Sequence, residues 1–259
     1  MGVRRSSIVF ATAFSAAALW AAGPGASLAR AQPAGGVCQL QGVANISPPL
    51  TGTSQSFAYN FTGMLGTGAM GSCQSNVAGA PTMGTVSAGI QLQETVTLTN
   101  TRPGVCTSGF CDDRITACTS SSQCPAVVFT TTGTVQYQEP IPQGSGSCGN
   151  STTTGESLAT WGDGLHTVVS YNTTGALAAV QLQGTVVASM TLALVASSVP
   201  ASCTAPASFT IGSDEPTFAA GEGALALLTF SPTTQDQNCV TVGVSSANIS
   251  GNVGIGSAQ

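Results

Sequence analysis

The sequence predicts an all-β fold: an antiparallel β-sandwich, with a closed β-barrel as the alternative, carrying a short disulfide-stapled Cys-rich insertion. Three observations carry this expectation. Apolar residues recur at every second position, and no long stretch has the three-to-four-residue period of an amphipathic helix. Thr, Val, Ser and Gly dominate, and Gly, Pro and Asn punctuate the chain at short intervals, as in domains built from many short strands. Nine cysteines, 42% hydrophobic and only 6% charged residues in 259 positions describe a chain with enough apolar surface to fold, which a disordered segment lacks.

Residues 1–31 read as an export signal. Arg4 and Arg5 form its basic end, Ile8 to Ala22 its apolar stretch, and Ala29-Arg30-Ala31 a small-x-small cleavage site. Ser6 and Ser7 put polar residues where the twin-arginine route prefers apolar ones, so ordinary secretion is expected. The apolar stretch is too short and broken for a membrane anchor. Residues 32–37 form a flexible Pro/Gly leader, and residues 38–259 a single β-domain with its Cys-rich insertion at 101–125. Beyond residue 31 the chain keeps Arg102 and Arg114 against ten acids, a formal charge of −8. That balance excludes a nucleic-acid binder, which must neutralise several phosphates, and a basic lipid-binding patch.

Between Ile90 and Thr99 the alternation is clearest. Ile90, Leu92, Val96 and Leu98 point one way, and Gln91, Gln93, Thr95, Thr97 and Thr99 the other. Glu94 falls on the apolar face, which marks a strand end, a bulge or a cavity. Val180 to Leu194 starts with the same alternation and becomes apolar on both faces, as in a covered central strand; a buried helix from Val186 to Ser197 competes with that reading. Further strands are expected at Gln55–Leu65, Ala126–Gln138, Ser157–Trp161, Leu165–Tyr171, Ala207–Ile211, Ala224–Phe230 and Val240–Val244. A weak duplication is suggested by Gly71-Ser72-Cys73 before Gln91-Leu92-Gln93 and Gly146-Ser147-Cys148 before Gln181-Leu182-Gln183.

The nine cysteines all follow the predicted signal, as suits an oxidising compartment. Cys106, Cys111, Cys118 and Cys124 lie in a segment with too little apolar content to hold itself, so two local disulfides are expected there, in any of three pairings. A zinc knuckle is the rival, but no Cys-x2-Cys pair is present and exported thiols oxidise. Cys38 with Cys73 would clamp the first strand to the end of the second. Cys148, Cys203 and Cys239 share one bridge and one leftover.

Taken together, Cys38-Gln39-Leu40-Gln41-Gly42, Pro48-Pro49-Leu50-Thr51, Gly71-Ser72-Cys73, Gly146-Ser147-Cys148, Trp161-Gly162-Asp163-Gly164 and Gln183-Gly184-Thr185-Val186 resemble a loose group of small secreted bacterial β-proteins without an assigned function. The resemblance spans most of residues 38–259 and implies an all-β secreted domain. It carries over no catalytic residue.

Catalytic constellations are scarce. His166 is the single histidine, beside the turn Gly162-Asp163-Gly164, and reads as a polar strand position. Ser145-Gly146-Ser147-Cys148-Gly149 lacks the first Gly of a nucleophile elbow. Paired carboxylates for glycoside hydrolysis would come from Glu94, Glu139, Glu156, Asp163, Asp214, Glu215 and Glu222, with Asp112 and Asp113 in the lobe. Asp112 and Asp113 lack the ligand periodicity of a calcium loop and read as a solvated turn with a local ion pair. The five Asn-x-Ser/Thr sites, such as Asn60-Phe61-Thr62, are expected by chance in a chain so rich in Ser and Thr.

The functional expectation is therefore a secreted, non-catalytic surface or structural protein that binds an unknown protein or glycan, with no cofactor and no metal. Its contact patch would be Phe110, Asp112, Asp113 and Arg114, on a loop held by a rigid scaffold. The alternatives are a carbohydrate-binding module stacking sugars on Trp161, with Tyr137 or Tyr171 on the same exposed face, and a hydrolase with two acids, or His166 with an acid and Ser, in a cleft.

Overall fold

Period-two patterning produces strands and little else. The computed structural model describes residues 35–66, 71–176 and 178–256; the expected signal peptide and residues 32–34 of the expected leader lie outside these, whereas Gly35 to Val37, expected as leader, open the first strand and pair with the last one. In chain order the strands are β1 (Gly35–Leu50), β2 (Gln55–Leu65), β3 (Gln74–Ser75), β4 (Gly84–Ala88), β5 (Gln91–Arg102) and β6 (Cys106–Thr107). Then come β7 (Phe110–Cys111), β8 (Val127–Gln138), β9 (Gln143–Ser147), β10 (Asn150–Trp161), β11 (His166–Ala176) and β12 (Ala179–Val187). The last are β13 (Ser189–Leu194), β14 (Cys203–Thr204), β15 (Ser208–Gly212), β16 (Gly223–Pro232) and β17 (Val244–Gly256).

The chain is all-β, and the larger sheet takes the closed form named above as the alternative to a sandwich. Its order runs β1, β17, β16, β12, β11, β10, then β4 and β9, then β2, and β2 pairs back onto β1. β4 and β9 share one position in the ring, each pairing with β2 and β10 at a different end. Closure leaves no free edge in this ring. Inward residues alternate with outward ones along every strand: on β12, Val180 and Val186 are buried while Gln181 and Gln183 are exposed. The outward set also includes the polar side chains of Gln41, Asn248 and Asn252. Among the described residues no helix is long and apolar enough to cross a membrane.

A second sheet, in the order β14, β5, β8, β13, β15, packs on the outside of the barrel. Leu158 of β10 and Val168 of β11, outward-facing on the barrel, join Val96, Leu98, Val135, Tyr137, Met190, Leu192 and Ile211 in a shared core. Each such fully covered aliphatic side chain is worth about 1.5–3 kcal/mol. The chain moves from barrel to second sheet at Ala188, so the run expected as one strand, Val180 to Leu194, is two strands in different sheets; the competing helix does not form. The two Gln-Leu-Gln tripeptides likewise sit in different sheets, β5 and β12, and are not equivalent copies.

Two glycines shape the barrel wall. Gly42 and Gly63 are paired across β1 and β2, and the Phe61 ring lies over both: a Cβ there would sit 2.6 Å and 2.7 Å from ring atoms. Glycine is needed for close approach here, and the ring covers the backbone it leaves bare.

One expected strand is corrected. Residues 240–243 form a turn, with Val240 and Val242 exposed, and the strand begins at Val244. Asn238 is the reason: its Oδ1 accepts the Val240 and Thr241 N–H groups and the Thr241 hydroxyl, a side-chain mimic of a backbone turn.

Four disulfides lock this frame: Cys38–Cys73, Cys106–Cys118, Cys111–Cys124 and Cys148–Cys239. Cys203 is the free thiol among the described residues. Cys38–Cys73 ties β1 to the segment carrying β3, as expected from the sequence, and Cys148–Cys239 pins the turn between β9 and β10 to the loop before β17.

Candidate functional site

The Cys-rich insertion sits at the tip of the β5–β8 ribbon. Its two disulfides interlock, 106 with 118 and 111 with 124, around the minimal hairpin β6–β7. Cys106, Cys118 and Cys124 bring their sulfurs within 4.8 Å of one another, but all three are spent in disulfides and offer no thiolate, which removes the zinc-knuckle reading.

The expected contact patch divides in two. Asp112 Oδ2 pairs with Arg102 Nη1 at 2.8 Å and accepts the Val105 N–H at 3.1 Å. Asp113 accepts the Ile115 and Thr116 N–H groups, both at 2.9 Å, and the Thr116 hydroxyl at 2.5 Å. These bonds, the Thr116 hydroxyl first, hold the Asp113 carboxyl below the usual range. Both acids serve the lobe's own backbone, and the expected local ion pair is that of Asp112 with Arg102, ten residues before it. Arg114 takes a positive φ of 57° at the turn. Besides Arg114, two apolar side chains face outward: Ile115 is 84% exposed and Phe110 51%. Ile115 was not among the expected contact residues, although its position among turn residues without a packing partner was readable.

β8 shows the feature that sequence reasoning missed. It pairs with β5 along its whole length in one unbroken register, from Gln91 opposite Gln138 to Arg102 opposite Val127, so no bulge excuses Glu94. That side chain stands half-exposed opposite Val135, and burial first raises its pKa while the charge of His166 opposes. On its other side β8 pairs with β13 only at Tyr137 and Gln138. Gln136 turns both backbone groups that way: its N–H donates to Ser198 Oγ and its carbonyl accepts the Val195 N–H. The antiparallel alternation then aims the backbone groups of Val128, Thr130, Thr132 and Thr134 to the same side. Among the described residues no strand pairs with them there. Val128 is 62% exposed, and the neighbouring threonines are exposed too.

The barrel interior holds a cavity of about 120 Å³. Its wall is almost wholly apolar, with Ala44, Leu182, Phe230, Ile249 and Val253 among the lining side chains. One polar strip crosses it. Tyr59 Oη lies 2.6 Å from Tyr171 Oη and 3.3 Å from Thr153 Oγ1, which lies 2.7 Å from Thr173 Oγ1. Burial raises the pKa of both phenols, Tyr171 well above its ordinary value. Left empty, a void of this size forgoes roughly 3 kcal/mol of packing.

The remaining expected residues are structural. Trp161 is 2% exposed, stacks against Phe218 with centroids 5.2 Å apart, and donates its indole N–H to Thr167 Oγ1 at 2.9 Å. Tyr137 and Tyr171 are buried as well, so these rings present no common exposed face for a sugar. Hydrophobic closure of the barrel end claimed the tryptophan that the turn signal alone left unplaced. His166 Nδ1 lies 3.6 Å from Asp214 Oδ1, and the same carboxylate oxygen accepts the His166 backbone N–H at 2.6 Å. Ser213, next in the chain, accepts from Val168 N–H and donates to the Val187 carbonyl. These bonds fasten the 213–215 segment to β11. Glu139 is buried between Ser87 Oγ and the Ile90 N–H, and Glu215 accepts the Thr217 N–H.

No protein-family model, curated protein or solved structure matches the chain.

Proposed function

We propose that this protein is an exported, non-catalytic structural protein that joins to a second copy of itself by strand pairing along the open edge of β8. The observation that carries the reading is that edge: from Val128 to Thr134 its outward backbone groups have no strand partner among the described residues, the arrangement to which extended chains add. Natural edge strands are usually blunted by charge or proline, and from Pro125 to Gln138 this one is neutral and contains no proline after its first residue. A chain with ten acids and few cations meets its own copy most readily on a neutral surface.

The edge is also self-complementary. An antiparallel two-fold centred on Thr131 puts Thr130 opposite Thr132 and Val128 opposite Thr134 as hydrogen-bonded pairs, and Phe129 opposite Gly133 between them. Threonine pairs and an aromatic ring over glycine are favourable cross-strand neighbours. The resemblance to secreted β-proteins and the four disulfides support export. The sugar-stacking and hydrolase readings have less behind them, because Trp161 is buried and His166, Asp214 and Ser213 are occupied in holding the fold.

Sedimentation velocity across the micromolar range tests this. Thr132→Pro removes an outward N–H and leaves the β5 ladder intact, so it is tolerated on an edge. The wild type is expected to dimerise with concentration and the variant to stay monomeric with an unchanged circular dichroism spectrum. A wild type that stays monomeric throughout, or a variant that dimerises equally well, overturns the reading.

A further inference from the structure

We propose that the barrel lumen is a binding site for a small neutral ligand: one ring or a short branched chain of hydrocarbon carrying a single carbonyl or hydroxyl oxygen. The inference is independent of how the β8 edge is used. It rests on the size, lining and polar strip of the cavity.

Size comes first. The cavity of about 120 Å³ is an order of magnitude larger than one water needs and is comparable to engineered apolar cavities that take up benzene. It exists because several inward positions carry short side chains, Ala44, Ala159 and Ala224, where the barrel diameter calls for larger ones. Water has little to bond to along most of this wall, so the lumen favours an apolar occupant.

The polar strip supplies orientation. Thr173, Thr153, Tyr59 and Tyr171 form a row of four hydroxyls joined by three hydrogen bonds. Four hydroxyls bring four protons and the three links use three, so one O–H remains to donate; with each hydroxyl donating to the next from Thr173 onward, it is that of Tyr171 at the end of the row. An acceptor oxygen on the ligand takes that proton. Among the lining side chains none is ionised at neutral pH: the tyrosines have pKa values raised by burial, and the rest are aliphatic, aromatic or hydroxyl-bearing. A charged ligand would be desolvated there without a counter-charge, so charge is the property the site rejects.

The strip also lies at the seam of the barrel. β4 pairs with β2 from Phe61 onward, and β9 pairs with it up to Ala58; Tyr59 falls in the gap, where its N–H bonds the Pro142 carbonyl. Tyr171 faces the matching gap on β10, its hydroxyl 2.9 Å from where a Cβ on Gly155 would sit. Glycine at 155 leaves the room in which that hydroxyl lies.

The test uses cyclohexanone, benzene and benzoate as probes of the full-length secreted protein. Cyclohexanone and benzene are expected to raise the melting temperature with saturable concentration dependence, and benzoate to leave it unchanged. Tyr171→Phe is expected to weaken cyclohexanone about fivefold, the loss of one hydrogen bond, while benzene binds as before. Ala224→Leu fills the lumen and is expected to abolish both responses. If that variant fails to fold, the wild type still decides: cyclohexanone must shift the ring resonances of Tyr59 and Tyr171 in NMR spectra. Unmoved tyrosine resonances, no thermal response to either neutral probe, or benzoate binding as well as cyclohexanone overturns the proposal.

Discussion

The phenolic oxygens of Tyr59 on β2 and Tyr171 on β11 lie 2.6 Å apart inside the barrel, although 112 residues separate them in the chain. Closure of the sheet is what brings them together, and the contact reports directly on that closure. Tyr171→Phe removes one hydrogen bond and is expected to cost about 1 kcal/mol in urea unfolding, and Tyr59→Phe, which breaks the link to Thr153 as well, somewhat more. The double variant should cost less than the two singles combined, because each single variant already removes the one bond between the two phenols. Strict additivity would show that the two rings do not meet.

Glu139 makes stability depend on pH. Burial lifts its carboxyl above the ordinary value of 4.5, outweighing the bonds from Ser87 and Ile90 that favour the ionised form. Between its unfolded and its raised native pKa the folded protein binds more protons, so this contribution is fully present below about 4.5 and is lost as pH rises through the native value. Glutamine resembles the protonated acid: its oxygen can accept the Ile90 N–H while its amide donates to Ser87. Glu139→Gln is expected to flatten that decline, read as melting temperature against pH from about 4 to 8. Parallel curves for wild type and variant contradict this. Asp113 and Asp236 act in the opposite sense: their lowered pKa values remove stability as pH falls through the native values.

The disulfides divide by reach. Replacing Cys148 and Cys239 with serine opens a link between residues 91 apart and is expected to cost about 4–5 kcal/mol on the chain-entropy account. Replacing Cys111 and Cys124 opens a link of separation 13 within the lobe. The expected result is faster proteolysis between residues 103 and 126 with the barrel's melting temperature little changed. Thiol titration of the denatured, unreduced protein should find one thiol per chain, that of Cys203.

Glycine positions offer a paired test of the barrel wall. A Cβ at Gly42 would meet the Thr62 carbonyl at 2.3 Å and the Phe61 ring, so Gly42→Ala is expected to destabilise by more than about 3 kcal/mol or to prevent folding. At Gly212 a Cβ would meet only the Ala188 carbonyl, at 3.8 Å, and Gly212→Ala should be neutral or slightly stabilising. Equal behaviour of the two in thermal melts would contradict the close approach of Phe61.

Strands with one wet face were legible from alternation alone; β5 and the start of β12 are the clearest. β4 and β9 were not, because Gly84–Ala88 and Gln143–Ser147 are short and poor in large apolar residues, and their place follows from the partners that flank them. Closure itself leaves no local mark, since β1 joins β2 and β17 across opposite ends of the chain. Trp161 illustrates the same limit. The turn after it was readable, but its burial depends on Phe218, 57 positions on. The open edge of β8 was hidden for a related reason: periodicity says which side chains share a face, whereas a free edge depends on which strands come to lie beside it.

Hydrogen–deuterium exchange at the amides of Val128, Thr130, Thr132 and Thr134, measured as protein concentration is raised, tests the central claim most directly. Strand pairing between copies predicts protection at these alternate positions that grows with concentration and is missing in Thr132→Pro. Fast exchange at all four at every concentration, with the odd-numbered amides protected by β5 as before, would contradict it.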